Sequence, residues 1–174
     1  MGFVMQGRRV VITGIGLITP LGLNVADNWN GLINSKSGIT KITKFDTARF
    51  STKIAGEVKA SDGSPFNPEN YIEPKDIKKM DPFIQYGLAA ATQAIEDSGW
   101  VAESEEDKDR TGVIIGSGIG GLAAIENAAL QLHETGKVSP FFIPSCLINL
   151  LSGHVGIKYG FRGPNHSVVT ACAT

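Results

Sequence analysis

The feature that most narrows what this chain can fold into is where its glycines fall. They cluster at the ends of short apolar runs, where backbone must turn or approach other backbone closely. Arg8-Arg9-Val10-Val11-Ile12-Thr13 stops at Gly14, and Thr111-Gly112-Val113-Ile114-Ile115 stops at Gly116. Ser167-Val168-Val169-Thr170 delivers Ala171-Cys172-Ala173-Thr174. The first run is β-branched without alternation, the pattern of a strand buried on both faces, and the second and third read as further strands. Helical patterns lie between them. Asn24 stands at an N-cap position, and Val25, Trp29, Leu32 and Ile33 then form one stripe of an amphipathic helix ending near Ser35 to Gly38. Asp81-Pro82 opens a helix from Phe83 to Ser98 that is apolar or small on nearly every side, hence central and closely packed, and Gly99 ends it.

Leu122 to His133, stopped by Gly136, and Ser145 to Tyr159 read as further helices, the latter mostly buried, and Lys75 to Met80 as a short one. Ile54-Ala55-Gly56-Glu57-Val58 suggests an edge strand, Ser61 to Pro74 a surface loop, Glu103 to Arg110 an acidic solvated connector, and Ser139-Pro140-Phe141-Phe142-Ile143-Pro144 an aromatic loop. Strands alternating with helices predict an α/β fold with a layered, largely parallel or mixed sheet. Met1 to Gly7 reads as a leader or tag remnant ahead of one domain over residues 8–174.

Composition excludes several classes. At 42% hydrophobic and 19% charged, the 174 residues are those of a folded domain rather than a disordered segment. With 16 Lys+Arg against 17 Asp+Glu, a net charge of -1 argues against a charge-driven partner such as nucleic acid. No apolar stretch approaches the ~18 residues of a membrane span. Cys146 and Cys172 make no disulfide framework and no signal peptide precedes them, so a reducing, cytoplasmic setting is expected.

Cys172 is the sharpest chemical candidate. Directly after a strand, where an α/β protein usually starts a helix, its thiolate would be favoured by the helix N-terminus. Backbone N–H groups there would face a developing oxyanion, and Ala171 and Ala173 leave the sulfur accessible. The competing reading is a structural thiol in the core, which is also the reading for Cys146 in its apolar helix. Gly116-Ser117-Gly118-Ile119-Gly120-Gly121 matches the G-x-G-x-x-G of a dinucleotide fingerprint between strand and helix. The acidic partner it needs is missing, because Glu134 has the right distance but the wrong element; close backbone packing or an apolar pocket is the alternative.

His133, His154 and His166 form no pair with metal-ligand spacing. His166 would lie ~20 Å from Cys172 on an extended strand, too far for a dyad without a sharp fold. His154 is expected as a hydrogen-bonded core residue. Lys75, Lys78 and Lys79 fall on one helical face, either a solvated patch or a docking site for an acidic partner.

Taken in order, the segments Arg8 to Gly16, Lys78-Lys79-Met80-Asp81, Phe83 to Gly87, Gly116 to Gly121, Ser139 to Pro144, Arg162-Gly163-Pro164 and Thr170 to Thr174 resemble the β-ketoacyl-acyl carrier protein synthase II family, the elongating condensing enzymes of type II fatty-acid synthesis. The resemblance implies a thiolase-like fold, layered αβαβα, of which this chain is the first half, working as a homodimer without a cofactor. Cys172 matches the nucleophile that takes an acyl chain from acyl carrier protein, and its N–H matches one oxyanion donor. Ile119 and Phe142 match positions around the acyl pocket, and Lys75, Lys78 and Lys79 match the basic face that receives the carrier protein. The family's two catalytic histidines, lysine and second oxyanion donor lie after the cysteine and match nothing in these residues. The chain by itself is therefore expected not to condense substrates, to fold poorly and to expose Leu, Ile and Val faces. A non-catalytic docking scaffold of the same fold is the other reading, distinguished by whether Cys172 matters.

Overall fold

A computed structural model describes residues 9–174, so the expected leader, Met1 to Gly7, and Arg8 lie outside the described residues. Helix α1, Val25–Ile33, starts where expected: the Asn24 side chain accepts the Asp27 N–H at 2.8 Å. Its orientation is not the expected one. Val25, Trp29, Leu32 and Ile33 are exposed, and the residues α1 buries are Asn28 and Gly31. The cause is polar: the Asn28 amide donates to the carbonyls of Gly22 at 3.0 Å and Asn24 at 2.7 Å, and its oxygen accepts from the Thr19 hydroxyl. This wires one face of α1 to the turn before it. Strands β1 (Ile39–Lys41) and β2 (Ile54–Gly56) follow as an antiparallel pair, with Ile39 opposite Gly56 and Lys41 opposite Ile54.

Short helix α2 (Pro74–Ile77) leads to the central helix α3, Pro82–Ser98, capped by Asp81 and closed by Gly99 at φ 64°. Ile84 and Leu88 of α3 are buried against Leu151 and Val155, with Ile72 and Val113 completing the core. Gly87 lets the two helices meet closely, since a Cβ there would collide with the Leu151 side chain. Leu151 and Val155 belong to α7, Asn149–Tyr159.

The single helix expected from Ser145 to Tyr159 is instead two, α6 (Phe142–Cys146) and α7, so α6 also takes up the end of the expected aromatic loop. Leu147 between them is extended, and the Cys146 carbonyl, which a continuous helix would give to Leu150, accepts the Gly121 N–H at 3.0 Å. The expected connector Glu103 to Arg110 contains helix α4 (Glu105–Arg110), started by a reciprocal capping box between Ser104 and Asp107. Helix α5 runs from Leu122 to Thr135 and ends at Gly136 as expected.

Strand β3 (Val113–Ile114) lies parallel to β4 (Asn165–His166), joined by the α5–α6–α7 crossover. Bonds continue past both strands, from Ile115 N–H to the His166 carbonyl at 3.2 Å and from Ser117 N–H to the Val168 carbonyl at 3.3 Å. The regular part of the third expected strand therefore precedes Ser167 to Thr170. The first expected strand forms no ladder among the described residues: Val10, Val11 and Ile12 are exposed. Beyond it the chain runs along α3, with Ile15 N–H donating to Asp97 at 2.9 Å and Leu17 N–H to Gln93 at 3.2 Å. β-propensity needs a neighbouring edge to be realised, and α3 offers side-chain acceptors instead.

Candidate active site

Cys172 lies in a turn, Ala171–Ala173, directly after the segment that pairs with β3. It is exposed, whereas Cys146 is buried, so the structural-thiol reading fits only the latter. The turn is a single 3₁₀ turn over Ala171–Ala173. What sharpens the turn is Ala171, which adopts a left-handed φ of 52°. Thr174 braces it by accepting the Thr170 N–H at 2.7 Å through its hydroxyl. Among the described residues the Cys172 N–H donates no hydrogen bond, while the next two N–H groups close the turn onto Thr170 and Ala171. An N–H left free beside an exposed sulfur is the arrangement an oxyanion donor requires.

The glycine loop lies against this turn on one side and α6 on the other. A Cβ at Gly118 would stand 3.2 Å from the Ala171 carbonyl oxygen, and one at Gly121 would stand 2.6 Å from the Cα of Cys146. Gly120 has φ 77°, and its N–H donates to the Ser117 hydroxyl at 3.0 Å. The space that glycines would open for a pyrophosphate is filled by this chain's own backbone, which removes the basis for the dinucleotide reading. Ile119 is exposed between the two contacts, and Phe142 is the half-buried first residue of α6. The loop thus ties the Cys172 turn to the element that carries Phe142.

The lysines are arranged differently from expectation. The helix ends at Ile77, and Lys79 and Met80 close tighter turns onto Asp76 and Ile77, so the three do not share one face of a continuous helix. Lys75 and Lys78 are exposed. Lys79 pairs with Asp76 at 2.7 Å and sits 5.5 Å from the centre of the Phe141 ring. Lys78 and Phe142 line one shallow cavity of about 150 Å³, together with Ala124, Phe141 and Ser145. Asp81 lies beside it, buried, and bonds both α3 and α5. Sequence reasoning assigned Asp81 to α3 alone, because nothing in the local pattern places Ala124 against it.

His154 is half-buried without a hydrogen bond among the described residues, not the hydrogen-bonded core group expected. It borders a cavity of about 530 Å³ with Asp76, Met80 and Leu88, and burial holds its pKa below the ordinary value against the opposing charge of Asp76. His166 sits on exposed β4. Among the described residues no group of three or more His, Cys, Asp or Glu could hold a metal ion, and no helix is long and apolar enough to cross a membrane.

Known proteins share this architecture. The 3-oxoacyl-[acyl-carrier-protein] synthase 2 of Rhizobium meliloti (strain 1021) is 49% identical over 171 residues, which cover 96% of this chain and 41% of the relative. The chain thus spans about 40% of the length of the curated relatives it matches. The ishigamide ketosynthase/chain length factor superposes with a TM-score of 0.74 at 31% identity, over 94% of this chain and 40% of that one. A type II PKS acyl-carrier protein in complex with its ketosynthase bound to the hexaketide, AntDE:AntF, gives 0.65 at 25% identity, over 90% and 40%. These likenesses bear out the α/β, thiolase-like fold expected from the sequence. Residues 7–174 match the family described as Beta-ketoacyl synthase, N-terminal domain, and the chain belongs to that family.

Proposed function

We propose that this protein is a β-ketoacyl-acyl carrier protein synthase of fatty-acid elongation, working in the cytoplasm as a homodimer. The observation that carries the reading is the exposed Cys172 with its unpaired N–H, held against the glycine loop. The Cys172 thiolate attacks the carbonyl carbon of an acyl thioester on the carrier protein. The oxyanion that forms is met by the Cys172 N–H, and its collapse expels the carrier protein's thiolate, leaving the acyl group on Cys172. Malonyl-carrier protein then loses CO₂, and its carbanion attacks the new thioester, releasing the Cys172 thiolate and a chain two carbons longer. Ile119 and Phe142 border the acyl chain, while Lys75 and Lys78, exposed and without an ion-pair partner among the described residues, meet the acidic carrier protein with Lys79 beside them. The AntDE:AntF complex, a ketosynthase with its acyl-carrier protein, supports that partner.

The test is acyl transfer in the full-length protein. Incubation with acyl-carrier protein should add the acyl mass to the peptide containing Cys172, and Cys172→Ala should abolish it. Undiminished acylation or function in Cys172→Ala would leave a docking scaffold as the better reading.

A further inference from the structure

We propose that Asp81 is a positioning residue for the acyl pocket, a buried carboxylate that caps two helices at once and fixes the glycine loop and α6 against the lysine-bearing turn. The inference rests on the acyl-transfer reading above. One oxygen of Asp81 accepts the Phe83 N–H of α3 at 3.2 Å; the other accepts the Ala124 N–H of α5 at 2.9 Å. Helix α5 needs that second bond. Its own N-cap is Gly121, which has no side chain to offer its first-turn N–H groups. The acceptor comes instead from a residue 43 positions away.

The backbone of Asp81 reaches a third element, donating its N–H to the Ser145 carbonyl of α6 at 3.3 Å. Gly121 and Cys146 close the triangle through their own 3.0 Å backbone bond. Ala124 and Ser145, both bonded to Asp81, line the cavity that Lys78 and Phe142 share. Asp81 thus stands between the proposed docking turn and two elements of the proposed pocket wall. A carboxylate suits the position because it accepts at both oxygens and donates at neither. An amide would turn an NH₂ toward one of the two N–H groups, and a serine has a single oxygen.

In the full-length protein, Asp81→Asn and Asp81→Ser are compared with wild type and with Ser104→Ala, which removes the cap of α4 away from the site. Acylation of Cys172 by carrier protein bearing long chains should fall ~10-fold or more relative to short chains, as expected for a displaced pocket wall. Amide exchange over 117–125 and 142–147 should quicken ~5- to 10-fold, the size of a lost cap. An unchanged chain-length profile in both variants would overturn the proposal. So would a loss uniform across chain lengths that Ser104→Ala reproduces at equal melting temperature. Should wild-type protein fail to acylate Cys172, the acyl-transfer reading falls, and the exchange contrast alone decides whether Asp81 holds the loop.

Discussion

Ala171 and Ser35 are the described non-glycine residues with positive φ, and Ala171 immediately precedes the proposed nucleophile. A left-handed conformation costs an L-residue roughly 1–2 kcal/mol, more when the side chain is β-branched. The surroundings hold Ala171 there: Gly118 lies against its carbonyl, and the Thr174 hydroxyl holds Thr170. Ala171→Gly should therefore acylate Cys172 at close to the wild-type rate with stability changed by less than ~1 kcal/mol. Ala171→Val should lose ~2 kcal/mol and slow acylation at least ~10-fold, because the turn must reopen to accept it. Urea denaturation alongside acylation kinetics checks both; wild-type kinetics in Ala171→Val would mean the turn does not aim the sulfur.

Between elements, charge does the joining at the approach to β4. Arg162 donates to Glu105 at 2.6 Å and to Asp109 at 2.8 Å, fastening α4 to the chain just before the parallel pair. Hydrogen bonds from Lys108, then Arg162, hold the Glu105 carboxyl down to about 2. A carboxylate depressed in the folded state stabilises fully above its unfolded pKa, near 4.5, and its contribution drains away as pH falls toward 2. Titration of the Glu105 carboxyl by NMR should show a midpoint near 2, rising toward the ordinary value in Arg162→Gln. A midpoint near 4.5 in the parent protein would show the tie to be absent in solution.

The elements whose ends are local were legible from sequence: the Asn24 and Asp81-Pro82 starts, and the Gly99 and Gly136 stops. The face α1 buries was not, because the Asn28 hydrogen bonds outrank the apolar stripe, and neither was the α6–α7 break, which depends on Gly121 reaching Cys146. At the site, Cys172 and the glycine loop stood out by position. The spread of the lysines and the second bond of Asp81 did not, since each depends on contacts outside the local pattern.

At the scale of the whole molecule, the described surface carries many large apolar side chains. Trp29, Leu32 and Ile33 on α1, Val10 and Ile12 before it, and Ile157 on α7 are all more than half exposed, in line with the exposed apolar faces expected of this chain. Sedimentation velocity on the 174-residue chain should show self-association at micromolar concentration, reduced in a Trp29→Lys, Ile33→Lys double variant. A monomer at all concentrations would contradict it. The parallel pairing of β3 with β4 carries a different consequence. Val113 and Asn165 are partners roughly fifty residues apart, and every crossover helix lies between them, so this ladder is a high-contact-order closure and a slow one. As the chain leaves the ribosome, α3 can collapse early, but the turn bearing Cys172 takes its shape only after that ladder has zipped. The Cys172 turn should therefore gain amide protection no earlier than the β3–β4 pair during refolding, and earlier protection would contradict that order.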